Sequence, residues 1–292
     1  VTDVADPPGA HVGSLVVIST PIGNLGDLTA RARSLLGSVD LLCCEDTRTT
    51  GKLLGLIGVP PPRLCSLHEH NEHVRIPEVL DVIATGATVG LVADAGTPLL
   101  SDPGARLVAA AADAGATVTA APGASAALAA LVCSGLGGGG FHFEGFLPRK
   151  GRERSRRLAA IAASGEPSIL YEAPTRVAAT LDDLLRSCGS ERRVAVAREL
   201  TKLHEETWRG DLGSAAGSPP VRAGRGEYVV VVGGAPASDD DEVDDLTGAV
   251  AALAAAGLRR RDAVAAIEIL LGVTHRRAYD AALGEAGFAR DR

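Results

Sequence analysis

The sequence predicts an α/β protein: two αβα domains with mixed, mostly parallel sheets, followed by a small C-terminal helical module. Three features predict it. Apolar runs of strand length alternate with stretches of helix length from residue 15 to residue 232, the pattern of parallel strands with both faces covered. Four consecutive glycines, 137–140, divide that alternation into two units of similar kind and read as a hinge. An acidic run at 238–245, six of its eight residues Asp or Glu, reads as a solvated linker before a segment of helical periodicity. The expected boundaries are a disordered tail over 1–13, an N-terminal α/β domain over 14–136, a second α/β domain over 141–236 and a helical module over 246–288.

Taken in order, strands are expected at 15–19, 39–44, 64–67, 89–92 and 117–121. The helices between them fall at 29–37, 47–56, 76–84 and 105–114, and a further helix at 124–134 ends at Gly135. Thr29 is placed to cap the first helix, because its hydroxyl can accept from an early backbone N–H. In the second unit, strands are expected at 141–146, 168–171, 194–197, 205–209 and 228–232, and helices at 152–163 and 174–187. The module should hold helices at 246–256, 260–271 and 275–286, broken at Gly257 and at 272–274.

Composition narrows the function classes. The 292 residues are 46% hydrophobic and only 3% aromatic, so alanine-rich cores with many small contacts are expected. A net charge of −7 excludes a protein basic all over; any nucleic-acid partner needs a local basic patch. The five cysteines (Cys43, Cys44, Cys65, Cys133 and Cys188) form no CxxC pair, which argues against a disulfide framework or a zinc ribbon. No apolar run has membrane-spanning length and the first residues lack a signal pattern, so the cytoplasm is the expected compartment.

The chain is organised around residues 91–104. An apolar strand ends at Asp94-Ala-Gly-Thr-Pro98, and a second small-residue turn, Ser101-Asp-Pro-Gly104, follows at once. Small residues beyond the carboxyl end of a strand let backbone approach a ligand closely. Similar turns end the strands before 20–27 and 122–126, so a ligand lying across several strand ends is expected. The turn at 22–27 lacks the three-glycine spacing of a dinucleotide site, and no phosphate-binding GxxxxGK[ST] occurs.

Charged groups gather at other strand ends: Glu45-Asp-Thr-Arg48, Tyr171-Glu-Ala-Pro-Thr-Arg176 and Arg198-Glu-Leu-Thr-Lys202. Charged residues at such strand ends could do chemistry, but taken singly each reads better as a salt bridge or a helix cap. His68, His70 and His73 have the wrong spacing for a helical metal pair, so no metal is expected; the alternatives are a polar loop or a loop touching an anionic substrate. Residues 148–157 carry six basic side chains against one acid, either a solvated helix face or a grip on phosphates. Arg259-Arg-Arg261 and His275-Arg-Arg277 begin helices of the module, which resembles a small nucleic-acid-binding helical unit as much as a plain three-helix bundle.

Together and in this order, Thr20-Pro-Ile-Gly-Asn-Leu-Gly-Asp-Leu-Thr29, Glu45–Arg48, Asp94–Pro98 with Ser101–Gly104, Pro122-Gly-Ala-Ser-Ala126, Tyr171-Glu172 and Arg198–Lys202 resemble the small-subunit ribosomal RNA cytidine-2′-O-methyltransferases. These belong to the tetrapyrrole-methylase-like superfamily of S-adenosylmethionine enzymes. The resemblance covers about residues 14–234, and the C-terminal module is similar to that family's tail. One departure is Thr175, which stands before Arg176 where a histidine is expected.

The resemblance implies a homodimer acting on ribosomal RNA or the small ribosomal subunit, with S-adenosylmethionine in a cleft between two domains. Pro21, Asp94, Ala95, Gly96, Thr97, Leu100, Ser101, Ser125 and Ala126 would line the donor site, and Tyr171 would close over it. Methyl transfer to a ribose 2′-hydroxyl needs that oxygen aligned and its proton removed. Glu199 and Asp46 are the base candidates, with Lys202 and Arg48 orienting ribose or phosphate. Arg149, Lys150, Arg152 and Arg154 would hold the RNA backbone. Two alternatives are a tetrapyrrole or corrin methylase of the same superfamily and a non-catalytic RNA-binding ribosome-assembly factor. The basic run and the helical tail favour RNA.

Overall fold

The computed structural model describes residues 13–236, 239–271, 273 and 275–283. Residues 1–12 of the tail expected over 1–13, residue 237, Ser238 at the start of the acidic run, the turn residues 272 and 274, and the module beyond 283 lie outside them. Gly13 is already buried, and its carbonyl accepts from Thr117 N–H. The chain forms two compact units, Val1–Gly234 and Ala235–Arg292.

The first unit begins with a five-stranded sheet: β1 (Ser14–Ile18), β2 (Leu41–Cys44), β3 (Arg63–Ser66), β4 (Thr88–Val92) and β5 (Thr117–Ala121). The order is β3-β2-β4-β1-β5 and every pair is parallel. Four helices cover it: α1 (Ala30–Ser38), α2 (Thr47–Leu56), α3 (Glu72–Ala84) and α4 (Ala105–Asp113). Strand alternation decides which faces they meet. Val16, Ile18, Leu42, Cys44 and Val92 pack with Leu36 of α1 and Leu54 of α2. Leu15, Leu41, Cys43, Val89 and Leu91 point the other way, to Val79 of α3 and Leu107 of α4. Thr29 caps α1 by accepting from Ala32 N–H.

This arrangement creates a switch point. β1 and β4 are neighbours, yet the helix after β1 lies on one face and the helix after β4 on the other. A crevice opens beyond the carboxyl ends of such a strand pair. Those ends carry the small-residue turns.

The second sheet is β6 (His142–Phe146), β7 (Ser168–Glu172), β8 (Arg193–Arg198), β9 (Glu206–Asp211) and β10 (Tyr228–Val232), in the order β6-β7-β10-β8-β9. Only β6 and β7 pair in parallel; β7–β10, β10–β8 and β8–β9 are antiparallel. The two sheets together are mixed with parallel pairs in the majority, but the second sheet alone is mostly antiparallel. The short connection from β8 to β9 is hairpin-like, and β10 inserts between strands that the chain has already laid down.

One face of this sheet is covered by α6 (Arg152–Ala163), α7 (Val177–Cys188), and the short α8 (Leu212–Ala215) and α9 (Pro219–Ala223), the last two not anticipated. The other face is covered by a helix from the first half. α5 (Ala126–Ser134) lays Ala127 and Ala130 on Ile169, Ala195, Ala197, Val229 and Val231. The glycines at 137–140 therefore follow a helix packed on the second sheet.

The second unit is helical. It holds α10 (Asp239–Ala255), α11 (Arg260–Leu271) and α12 (His275–Leu283), packed around Leu246, Val250, Val264, Ile267, Ala278 and Ala282. The acidic stretch expected as a linker is helical from residue 239, forming the start of α10. Among the described residues, no helix is long and apolar enough to cross a membrane. All five cysteines are free.

Candidate active site

The turns at the ends of β1 and β4 are fastened to each other. Thr20 N–H donates to Gly96 C=O (2.9 Å), and Gly96 N–H donates back to Thr20 C=O (3.1 Å). The Thr97 hydroxyl lies 3.2 Å from the Ser19 hydroxyl and donates to Ala124 C=O at 3.0 Å. Asp94 joins the next strand end, its Oδ1 accepting from Asp46 N–H at 3.2 Å. Bonds of this kind hold four strand ends as one platform.

Above the platform is a cleft of about 370 Å³. Its first wall is Ile22, Asp94, Ala95, Gly96, Thr97, Leu100, Ser101, Asp102 and Ala126. The opposite wall is Phe146, Tyr171 to Pro174, and Gly226 to Val229. Tyr171 packs edge-on against Phe143 and Phe146, with ring centroids 5.1 and 5.7 Å away. Seven of the expected donor-site residues, together with Tyr171, line this cleft. Pro21 and Ser125 do not. Pro21 is half-buried in the turn behind Ile22. Ser125 caps α5, its hydroxyl accepting from Leu128 N–H.

Backbone strain is concentrated at this place. Among the described residues, the non-glycine residues with left-handed backbone are Leu99 (φ 75°), Ser101 (φ 72°), Glu199 (φ 51°) and Thr201 (φ 65°). Such conformations cost about 1–3 kcal/mol each and persist where surrounding contacts enforce them. For the 99–104 turn those contacts are visible. Buried Glu72, at the start of α3, accepts from Gly104 N–H at 3.1 Å. From the other side, the Ser101 hydroxyl lies so close to Gly145 that a Cβ there would sit 2.5 Å from it.

The base candidates are engaged elsewhere. Asp46 caps α2 and accepts from Arg48 N–H, Nε (3.1 Å) and Nη2 (2.7 Å). Those hydrogen bonds hold its carboxyl down at about 2, too weakly basic for efficient proton removal at neutral pH. Arg48 is 89% exposed and bound to the same carboxylate. Glu199 accepts from Lys202 Nζ and from Glu227 N–H, each at 3.0 Å. Burial would raise its carboxyl, but the Lys202 and Glu227 donors outweigh it and hold it below the ordinary range. Lys202 also meets Glu227 at 2.9 Å. Its stem lies on Gly23, where a Cβ would collide with Cγ. Thus Glu199 and Lys202 bind the strained 199–202 turn to the first turn of the chain and to the cleft wall at Gly226–Glu227.

Arg154 corrects the expected RNA-binding set. It is only 8% exposed, pairs with Asp183 at 2.7 Å, and donates to Pro148 C=O and the Thr180 hydroxyl. It holds α6 to α7. Arg157 is likewise committed to Glu144, and Arg156 pairs with Glu153. Arg149, Lys150 and Arg152 are exposed. Arg149 and Thr175 border a second hollow beside Arg176, whose Nη2 donates to Leu147 C=O.

In the histidine segment, His68 and His70 meet edge-on at 6.0 Å, and α3 begins at Glu72. Among the described residues, no group of three His, Cys, Asp or Glu side chains is placed to hold a metal ion.

Two acidic residues of this region carry no local sequence signal. Glu72 has the pattern of a polar loop, yet it is buried at the start of α3. Asp102 has the pattern of a turn residue, yet it lines the cleft. Burial, reinforced by Glu45 and Asp94, pushes its carboxyl up to about 6. Glu45 is shifted upward as well, by burial first and then by Asp94.

Residues 14–216 match the model of the tetrapyrrole (corrin/porphyrin) methylases. This chain belongs to that methylase family. It is 46% identical over 221 residues to the ribosomal RNA small subunit methyltransferase I of Synechocystis, covering 76% of this chain and 79% of the relative. It is 42% identical over 277 residues to the protein of the same name from Mycobacterium tuberculosis H37Rv, covering 93% and 95%. Among solved structures, the uroporphyrin-III C-methyltransferase of Thermus thermophilus complexed with S-adenosylhomocysteine aligns with a TM-score of 0.52 at 18% identity. That alignment covers 76% of this methylase and 97% of the other chain, and it shows the shared fold.

Proposed function

We propose that this methylase transfers a methyl group from S-adenosylmethionine to the 2′-hydroxyl of a cytidine in small-subunit ribosomal RNA. The observation that carries this is the 42% identity to a ribosomal RNA small subunit methyltransferase over 277 residues, a span that runs past both sheets. Likeness to the uroporphyrin enzyme is far lower at 18%, which disfavours a tetrapyrrole substrate. A cleft that combines backbone groups, hydroxyls and an aromatic wall disfavours a purely RNA-binding factor.

The cleft fits the donor. Its floor offers the Ala95–Gly96 backbone, the Thr97 and Ser101 hydroxyls and the Asp94 carboxylate, and Leu100, Ile22 and Tyr171 supply apolar area. Small-molecule sites are concave, mostly apolar and oriented by a few polar groups. When bound, S-adenosylmethionine supplies an activated methyl group on a cationic sulfur. The protein's part is to hold the acceptor oxygen in line and accept its proton. Lys202, pinned between Glu199 and Glu227, orients the ribose or a neighbouring phosphate. Arg48 extends into solvent from the Asp46 end of the platform to meet RNA, and Arg149, Lys150 and Arg152 grip the backbone. The parts over 14–136 and 141–236 serve as the two lobes holding the donor.

The same assignment includes a homodimer in the cytoplasm. Leu128 and Val132, one turn apart on α5, are 49% and 81% exposed, and a second copy would cover them. Sedimentation equilibrium giving a monomer at micromolar concentration would remove that part.

The deciding experiment incubates the protein with methyl-labelled S-adenosylmethionine and small subunits purified from cells lacking it. Nuclease digestion and mass spectrometry are expected to give one 2′-O-methylcytidine per subunit. Label in a base, or none in RNA, would overturn the assignment.

A further inference from the structure

We propose that Asp102 is the proton acceptor, taking the hydrogen of the substrate hydroxyl directly. This rests on the functional assignment above and deepens it. Three observations lead to this residue. First, Asp102 lines the cleft, whereas Asp46 and Glu199 do not. Second, both of those carboxylates are held by a cation, Arg48 and Lys202 respectively. The other acids of the second wall are held as well: Glu172 by Arg176 at 3.2 Å and Glu227 by Lys202 at 2.9 Å. Asp102 makes no ion pair among the described residues, and acidic neighbours face it. Glu45 approaches from the turn after β2, Asp94 from the turn after β4, Tyr171 from β7, and Glu72 from α3 holds the adjoining Gly104 N–H. Third, its backbone is aimed. The left-handed residues Leu99 and Ser101 precede it, and the turn is held by Glu72 on one side and Gly145 on the other. Enforced strain of this kind collects at sites where a side chain must point against the chain's own preference.

A carboxylate among carboxylates in a half-buried wall binds protons more tightly than one beside a cation. That suits a general base, which works best when its proton affinity lies near the operating pH. As the ribose oxygen bonds to the methyl carbon, its proton passes to Asp102. The pair from the broken carbon–sulfur bond stays on sulfur, and Asp102 then releases the proton to water, so atoms and charge balance.

The test compares wild type with Asp102→Asn in three measurements. Calorimetry with S-adenosylhomocysteine is expected to give a Kd within about threefold of wild type. Single-turnover methylation at pH 7.5 is expected to fall by about 100-fold or more. The wild-type rate should rise with pH and level off above about 6, and the variant should lose that inflection. The third readout needs no turnover. Because the fold raises the Asp102 carboxyl, the protonated form favours the folded state. Its stabilising contribution is complete below about 3.8 and is lost as pH climbs to about 6. The melting temperature of the asparagine variant should therefore gain on wild type across that window and keep a constant lead above it. If the variant retains its rate within threefold, or shows no gain in that window, the proposal falls while the function stands. Loss of S-adenosylhomocysteine binding by more than tenfold makes Asp102 a donor-binding residue and also overturns it. If wild type itself transfers no methyl group to RNA, the functional assignment fails, and this proposal fails with it.

Discussion

Arg149 and Arg154 differ by five positions, and their surroundings give them opposite tasks. Arg154 sits on the stripe Arg154, Leu158, Ile161 that α6 buries, and its guanidinium serves Asp183, Thr180 and Pro148. Replacing it with alanine removes the buried guanidinium that ties Asp183, Thr180 and Pro148 together and leaves Asp183 to Arg186 alone. The Arg154→Ala variant is expected to lose about 3 kcal/mol in urea unfolding. Arg149→Ala should stay within about 0.5 kcal/mol of wild type and instead weaken RNA binding. The difference was legible in principle, because i, i+4, i+7 spacing places Arg154 among apolar residues. A basic count over the whole segment hides it. Asp102 was not legible at all. Its environment comes from Glu45 and Asp94, which reach it from other strand ends, and no local pattern announces such a meeting.

At the scale of elements, α5 is the piece on which the site depends. Its alanines let it lie flat on the second sheet, and its first turn supplies Ala126 to the cleft. Ala130 is 1% exposed, so a larger side chain has nowhere to go. Ala130→Leu is expected to cost about 1–3 kcal/mol by overpacking, read as a lower denaturation midpoint. It should also weaken S-adenosylhomocysteine binding, because the helix start would shift. Strands and helices were largely readable from apolar runs and their punctuation, as Thr29 before α1 illustrates. The direction of strands in the second sheet was not. Whether β7 neighbours β8 or β10 depends on pairing over some sixty residues, to which periodicity is blind. The acidic stretch is helical against its local pattern for a related reason. Charge repulsion favours an open chain, but Leu246 and Val250 give α10 an apolar side to pack, and helix growth from such an anchor is favourable.

For the whole molecule, a net charge of −7 meets a polyanionic partner. Binding then has to come from local cations against a repelling background. RNA affinity should fall steeply with salt, and replacing Arg149, Lys150 and Arg152 together should reduce the log–log slope by about 2, at roughly 0.7 per phosphate contact on single strands. A slope unchanged by the triple variant would remove those residues from the RNA path. The order of the second sheet carries a consequence for biosynthesis. The first sheet has all its strands once Ala121 is made. The second lacks its middle until Val232, because β10 fills the gap between β7 and β8. A nascent chain therefore carries two unpaired strand edges, β7 from residue 172 and β8 from residue 198, while it waits for its most apolar strand. At about 5–20 residues per second that wait lasts seconds, and open edges recruit other chains. Chains cut short anywhere between β8 and β10 should accumulate as aggregates, even with the parallel sheet intact.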